Sequence, residues 1–311
     1  MAANFLFVSQ QVLLLGAIIL TGFIVSRAGL VSDEGESAIS ALAMYVATPA
    51  VVISALQRPF EATLWSGLKQ AALIVMLSFF FLVLATRLTI RHPDTGYRSV
   101  MRFAAIFANV GYMCLPLVEA LYGDTGVFYC SAVIALFNMQ VWTYGYILMS
   151  AGSGKQFPLR KIVLNPGVLS AMVGITLFLT STTLPSGINS FLGSLSALNT
   201  PLGMIVIGCR LAHSDIRATL KSGAAWISTA ERLVIFPLLL VGALYLCGVR
   251  GTPAMVAVIT ACAPAASMTT MLAVHFHHDE SAAANTVSLQ TALSIITMPL
   301  VVSLGQHLLL S

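Results

Sequence analysis

Residues 102–123 read RFAAIFANVGYMCLPLVEALYG, an apolar run that sets Asn109, Gly111 and Pro116 near its middle. Proline removes a backbone donor and its ring clashes with the preceding turn, and glycine loosens the same stretch. Peptide groups freed in this way cannot face lipid, so they must be buried in protein or line a wet cavity. The run therefore predicts an interrupted membrane helix. A second run at 253–276, PAMVAVITACAPAASMTTMLAVHF, predicts another, with Pro264, Ala265, Ala266, Ser267, Thr269 and Thr270 at the interruption. Taken singly, either proline is also read as a plain packing kink. Two interrupted helices in matching places point to a transport site, because a half-helix N-terminus offers unpaired N–H groups and partial positive charge to an anion.

The rest of the chain agrees with a membrane setting. Of 311 residues, 58% are hydrophobic and only 8% are charged, against roughly a quarter charged in soluble domains. The charges sit in short clusters between apolar runs of the length that a hydrocarbon core of about 30 Å requires. Ten spans are expected, at 5–27, 36–57, 65–88, 99–121, 125–150, 166–183, 187–210, 225–248, 253–275 and 281–308. The first has no basic segment before it and is kept as a span rather than a cleaved signal. Cys114, Cys130, Cys209, Cys247 and Cys262 fall in apolar runs without metal-type spacing and are read as buried thiols. The net charge of +4, with no basic stripe, implies no nucleic-acid partner.

Most of the fifteen Lys and Arg residues lie in or beside the odd-numbered connections. They include Arg27, Arg87, Arg91, Arg98, Arg102, Lys155, Arg160, Lys161, Arg210, Arg217 and Lys221. The positive-inside rule then sets those connections in the cytoplasm and both termini outside. The polar stretch 151–165 divides the chain into halves, 1–150 and 166–311, of five spans each and opposite orientation. The halves also match in detail. Thr48–Pro49 answers Thr200–Pro201; Asp124 follows Pro49 by 75 residues and Asp279 follows Pro201 by 78. On that register Asn109 lies opposite Pro264. The expected fold is an all-α membrane protein of ten helices, a five-plus-five inverted repeat whose fourth and ninth helices are broken and cross.

Other polar residues bear on the site. Asn138 and Gln140 in the fifth span and Gln290 in the tenth are read either as cavity lining or as interhelical hydrogen bonds. Asn199 and Thr200 are cavity candidates or simple kink caps. Glu231 and Arg232 lie inside the eighth span, where charge is costly. Glu231 is a candidate coupling residue, and Arg232 either joins it or snorkels to the interface. Glu119 is placed in the outer vestibule. The run HFHHDE at 275–280 is read as a solvated, pH-responsive turn rather than a metal site, since adjacent ligands on one turn rarely converge.

The string FANVGYMCLPLVEALYGDTG resembles the signature of the auxin efflux carrier family, with Phe107, Asn109, Gly111, Pro116, Leu117 and Gly123 in matching places. NPGVLSAMVGITLFL, LPSGI, NTPLGMIVIGCRL, APAASMTTMLAVHF and LSIITMPL follow in order, so the resemblance covers nearly the whole chain. The short central linker is similar to that of prokaryotic members, within the wider bile acid/auxin transporter superfamily. The resemblance implies a ten-helix inverted repeat, a bacterial inner-membrane location and organic-anion substrates such as malate, malonate or an auxin-like acid. It implies substrate contact for Asn109. At the ninth-span break the plant carriers offer amide side chains, whereas small residues follow Pro264 here.

No metalloprotease helix, nucleophile elbow or Walker loop is present, and no cofactor is called for. The reading is a secondary active transporter of a small organic anion, working by alternating access with a proton as coupling ion. Asn109, the peptide groups from Gly111 through Tyr112 to Pro116, Asn138, Pro264, Ala265, Ser267 and Gln290 are expected at the substrate. A sodium-coupled symporter of related fold and a non-transporting membrane sensor are the rival readings, and a homodimer is left open.

Overall fold

The computed structural model describes residues 2–151, 164–214 and 221–310. The linker cations Lys155, Arg160 and Lys161, and Arg217, lie outside the described residues. Those residues fold almost wholly into helices. Seven helices are long and apolar enough to cross a membrane, and two shorter apolar ones, Pro166–Leu179 and Thr252–Cys262, accompany them.

In chain order the helices are α1 (Ala2–Arg27), α2 (Asp33–Leu56), α3 (Ala62–Thr89), α4 (Thr95–Ile106), α5 (Val110–Met149), α6 (Pro166–Leu179), α7 (Ser186–Ser196), α8 (Asn199–His213), α9 (Gly223–Leu246), α10 (Thr252–Cys262), α11 (Met268–His275) and α12 (Glu280–Leu309). The fourth expected span is thus α4 plus the start of α5, and the ninth is α10 plus α11. α5 is two arms meeting at Gly123, whose φ of 55° is left-handed and open to glycine at little cost.

Sequence dictates the helix starts. Ser32, Asp94, Asn165, Ser222 and Asp279 each accept a backbone N–H from the first turn of α2, α4, α6, α9 and α12. Such caps satisfy donors that the helix itself cannot. The histidine-rich turn contributes in the same way: Asp279 is the α12 cap, and His278 Nε2 lies 2.7 Å from the Met149 carbonyl oxygen.

Two packing groups result, in contact with each other where α1 meets α12 and where α5 meets α2 and α6. α1 runs along α8, with Gly22 and Gly208 facing the partner backbone where a Cβ would not fit; small residues let membrane helices approach this closely. α2 packs on α6 and α7. The other group is α3, α4, α5, α9, α10, α11 and α12, gathered around the two interruptions. Each group draws helices from both halves of the chain. The first turn of α5 also touches α8, where the Tyr112 ring lies against Gly203.

Candidate functional site

α4 ends at Ile106 and α5 begins at Val110; α10 ends at Cys262 and α11 begins at Met268. These two interruptions meet. Ala108 and Ala265 pair as an isolated antiparallel bridge. The Asn109 N–H donates to the Pro264 carbonyl at 2.7 Å, and the Ala266 N–H donates to the Phe107 carbonyl at 2.8 Å. Each break therefore satisfies peptide groups that the other leaves free, as a low-dielectric interior demands. The residues that the sequence register set opposite each other, Asn109 and Pro264, are directly bonded.

Pro116 is not at the fourth-span break. It sits within α5, and its missing donor and ring bear on the carbonyl four residues earlier, at Tyr112. The wide turn Val110–Cys114 lies there. Asn109 itself ends the extended segment: its Oδ1 accepts the Tyr112 N–H at 3.2 Å, capping the new helix.

The C-terminal ends of α4 and α10 converge on one side chain. Arg232, from α9, is only 2% exposed. Its Nη1 donates to the carbonyls of Ala105 and Ile106, at 3.3 and 3.0 Å. Its Nη2 donates to those of Thr260 and Ala261, at 2.8 and 3.0 Å, and its Nε to that of Ala263, at 2.9 Å. A guanidinium offers five N–H donors in a rigid fork and suits such a task. Arg232 thus turns inward and does not snorkel, and it faces the negative ends of two helix dipoles. Glu231 is buried on a different face of α9, with one carboxylate oxygen unpartnered among the described residues. Gln290 is wholly buried: its Oε1 accepts the Ala265 N–H at 3.0 Å, and its Nε2 donates to Ser228 Oγ at 3.3 Å. Its amide oxygen holds the ninth-span break, and its amide nitrogen ties α12 to α9.

On the opposite side of the crossing, against the N-terminal ends of α5 and α11, lies a cavity of about 290 Å³. Asn109, Gly111, Tyr112 and Asn138 of α5 line it, with Ser267 at the start of α11 and Ser40 and Thr48 of α2. Of the expected site residues, these come together at one space. Pro116, Pro264, Ala265, Gln290, Glu231 and Arg232 do not reach its wall. Asn109 is 5% exposed, and its Nδ2 has no hydrogen-bond partner among the described residues. Asn138 Nδ2 is occupied by the Ile134 carbonyl at 2.9 Å.

The α2 wall is tied to the site by side chains. Thr48 Oγ1 donates to Asn199 Oδ1 at 2.7 Å, and Asn199 Nδ2 donates to the Gly111 carbonyl at 3.4 Å. Tyr112 Oη donates to the Ser40 carbonyl at 3.2 Å. The Thr–Pro neighbourhoods matched from sequence are in contact here.

Besides Ser40 and Thr48 of the α2 wall, sequence reasoning missed one charged residue. Arg210, counted among the connection cations, lines the cavity. Its Nε donates to Glu36 Oε1 at 2.8 Å and its Nη1 to the Ser267 carbonyl at 3.3 Å. The signal was available: Arg210 follows Asn199 by three helical turns, so the two share a face of α8.

Comparison with known proteins bears on this site. A family model described as a membrane transport protein matches residues 7–158 and 153–302. A protein named "Uncharacterized transporter" from Methanothermobacter thermautotrophicus is 28% identical over 309 residues, which span 94% of this chain and 96% of that one. A protein of Rhizobium meliloti named "Putative malonate transporter" is 25% identical over 294 residues, 90% of each chain.

Proposed function

The chain belongs to the membrane transport protein family, that of the auxin efflux carriers, and from that premise we propose that it is a secondary active carrier of a small carboxylate working by alternating access. One observation carries the reading. At the meeting point of two broken helices, a cavity wall holds a buried amide, Asn109 Nδ2, whose donors are unused. A buried polar group without a partner costs about 1–3 kcal/mol, and a carboxylate would supply the missing acceptor. The N-terminal ends of α5 and α11 add partial positive charge to the same space. The name of the Rhizobium meliloti relative supports a short dicarboxylate as the cargo.

Asn109, Gly111, Tyr112, Asn138 and Ser267 would form the anion's surroundings, with Arg210 as the cation. Pro264, Ala265, Gln290 and Pro116 would shape the crossing from behind. The wider architecture in this proposal is ten spans in two inverted repeats, 1–150 and 166–311, joined by the linker 151–165. Both termini would lie outside a bacterial inner membrane. The α2, α6, α7 and α8 wall would move against the group that holds the crossing, since each packing group takes helices from both halves.

Coupling to protons is favoured over coupling to sodium. In transporters of related plan, carbonyls at half-helix C-terminal ends hold the coupling cation. Here those of Ala105, Ile106, Thr260, Ala261 and Ala263 are engaged by Arg232. Carbonyls engaged in this way would be unavailable to a sodium ion.

Flux of a carboxylate panel into proteoliposomes, with proton and sodium gradients imposed separately, tests the reading. Saturable uptake of a short mono- or dicarboxylate driven by the proton gradient is expected, and Asn109→Ala should abolish it while the protein still assembles. Uptake that requires sodium would replace the proton reading. Folded protein that moves no acid would favour the sensor.

A further inference from the structure

Arg210 and Glu36 form an ion pair at the edge of the cavity, with side chains 26% and 16% exposed. The pair joins α2 to α8, and Arg210 also touches the first residues of α11 through the Ser267 carbonyl. Its Nη2 group is not engaged by any described residue. The fork is therefore held from one edge by a carboxylate while it faces a space lined by the unused donors of Asn109. Chemically, Glu36 does there what a carboxylate ligand would do.

From this geometry we propose that Glu36 occupies the anion's place on Arg210 when the cavity is empty, and that an arriving substrate carboxylate exchanges with it and frees it to take up a proton. The inference rests on the anion-carrier reading above. A carboxylate that reaches the free Nη edge of Arg210 brings a second negative charge beside the one that Glu36 already places on Nε. Two carboxylates beside one cation repel each other, and the one that loses its counter-charge in a half-buried place is stabilised by protonation. The step balances simply. The Arg210–Glu36 bonds break, Arg210–substrate bonds form, and one proton from the aqueous phase converts the Glu36 carboxylate into a carboxylic acid. A dianion bound this way enters together with one proton.

Few other groups complicate the exchange among the described residues. Arg210 is the cation that faces Glu36 from α8, and the Cys209 thiol lies within electrostatic reach on the same helix. Asp33 and Glu34 precede it on α2. Asp33 Oδ1 lies 3.9 Å from His213 Nδ1, a separate and exposed pair. From α5, the Tyr112 hydroxyl is bound to Ser40, one turn along.

The test is calorimetric titration of malonate into the purified full-length protein in nanodiscs, repeated in buffers of different ionisation enthalpy. It would run between about pH 7 and 8.5, where malonate remains a dianion. Wild type is expected to take up protons on binding malonate, more at pH 7 than at pH 8.5. Glu36→Gln, which removes the competitor and the proton site, is expected to bind malonate tighter and take up none. Arg210→Gln is expected to weaken binding roughly 30-fold or more, and Arg210→Lys by less, since it keeps the charge without the fork. His213→Gln should leave proton uptake as in wild type. Binding by wild type without proton uptake, unchanged uptake in Glu36→Gln, or full affinity in both Arg210 variants would each overturn the exchange while leaving the carrier reading intact. If folded wild type binds no carboxylate, the carrier reading falls and takes this inference with it.

Discussion

The two interruptions at the crossing solve the same problem by different means. The break at Phe107–Asn109 has its own side-chain cap, Asn109, for the helix it begins, while its other peptide groups are held by Pro264, Ala266 and Arg232. The break at Ala263–Ser267 is built from small residues that have no side-chain caps of their own. Its peptide groups are held from elsewhere: Ala263 by Arg232 of α9, Ala265 by Gln290 of α12, and Ser267 by Arg210 of α8. One break has a side-chain cap in the local sequence, and the other has none and borrows its side-chain partners from three other helices. The borrowed break accordingly leaves its own wall small and bare, and the polar donor at the cavity comes from the other side.

That contrast can be broken at specific points. Arg232→Ala should have the largest effect, because it strips donors from five buried carbonyls on both helices. The loss is expected to be roughly 4 kcal/mol or more, read as little folded protein or a steep fall in thermal midpoint. Gln290→Leu should cost about 1–3 kcal/mol by orphaning the Ala265 N–H, with a matching drop in midpoint and reduced transport. Asn109→Ala should cost only about 1 kcal/mol in stability, the value of a lost helix cap, while removing specific transport altogether. Equal stability losses for Asn109→Ala and Gln290→Leu would mean that the local cap matters to its break as much as the remote amide matters to the other.

The same contrast marks how far the sequence could be read. The all-helical membrane character was legible because a bilayer imposes long apolar runs, and the two interruptions because glycine, proline and asparagine recur in matching places within them. The opposition of Asn109 and Pro264 followed from register. The position of the fourth-span break did not follow from Pro116, whose effect falls a turn earlier as a widened turn rather than a break. Of the caretakers of the ninth-span break, Gln290 was expected beside the crossing as cavity lining or an interhelical hydrogen bond, and it takes the second role. Nothing near residues 260–267 states that Arg232 will arrive there, since such contacts are set by tertiary packing. Arg210 was obscured differently: the tally of cations that orients the chain absorbed the one that faces the cavity.

A guanidinium that grips the ends of both broken helices also binds their motion together. Neither α4 nor α10 can tilt or slide without drawing the other along, so the crossing has no seam at which to part. In the proposed carrier, access to a bound acid would then change at its neighbours' expense, with the crossing passing as an undivided block beneath a wall that stays behind.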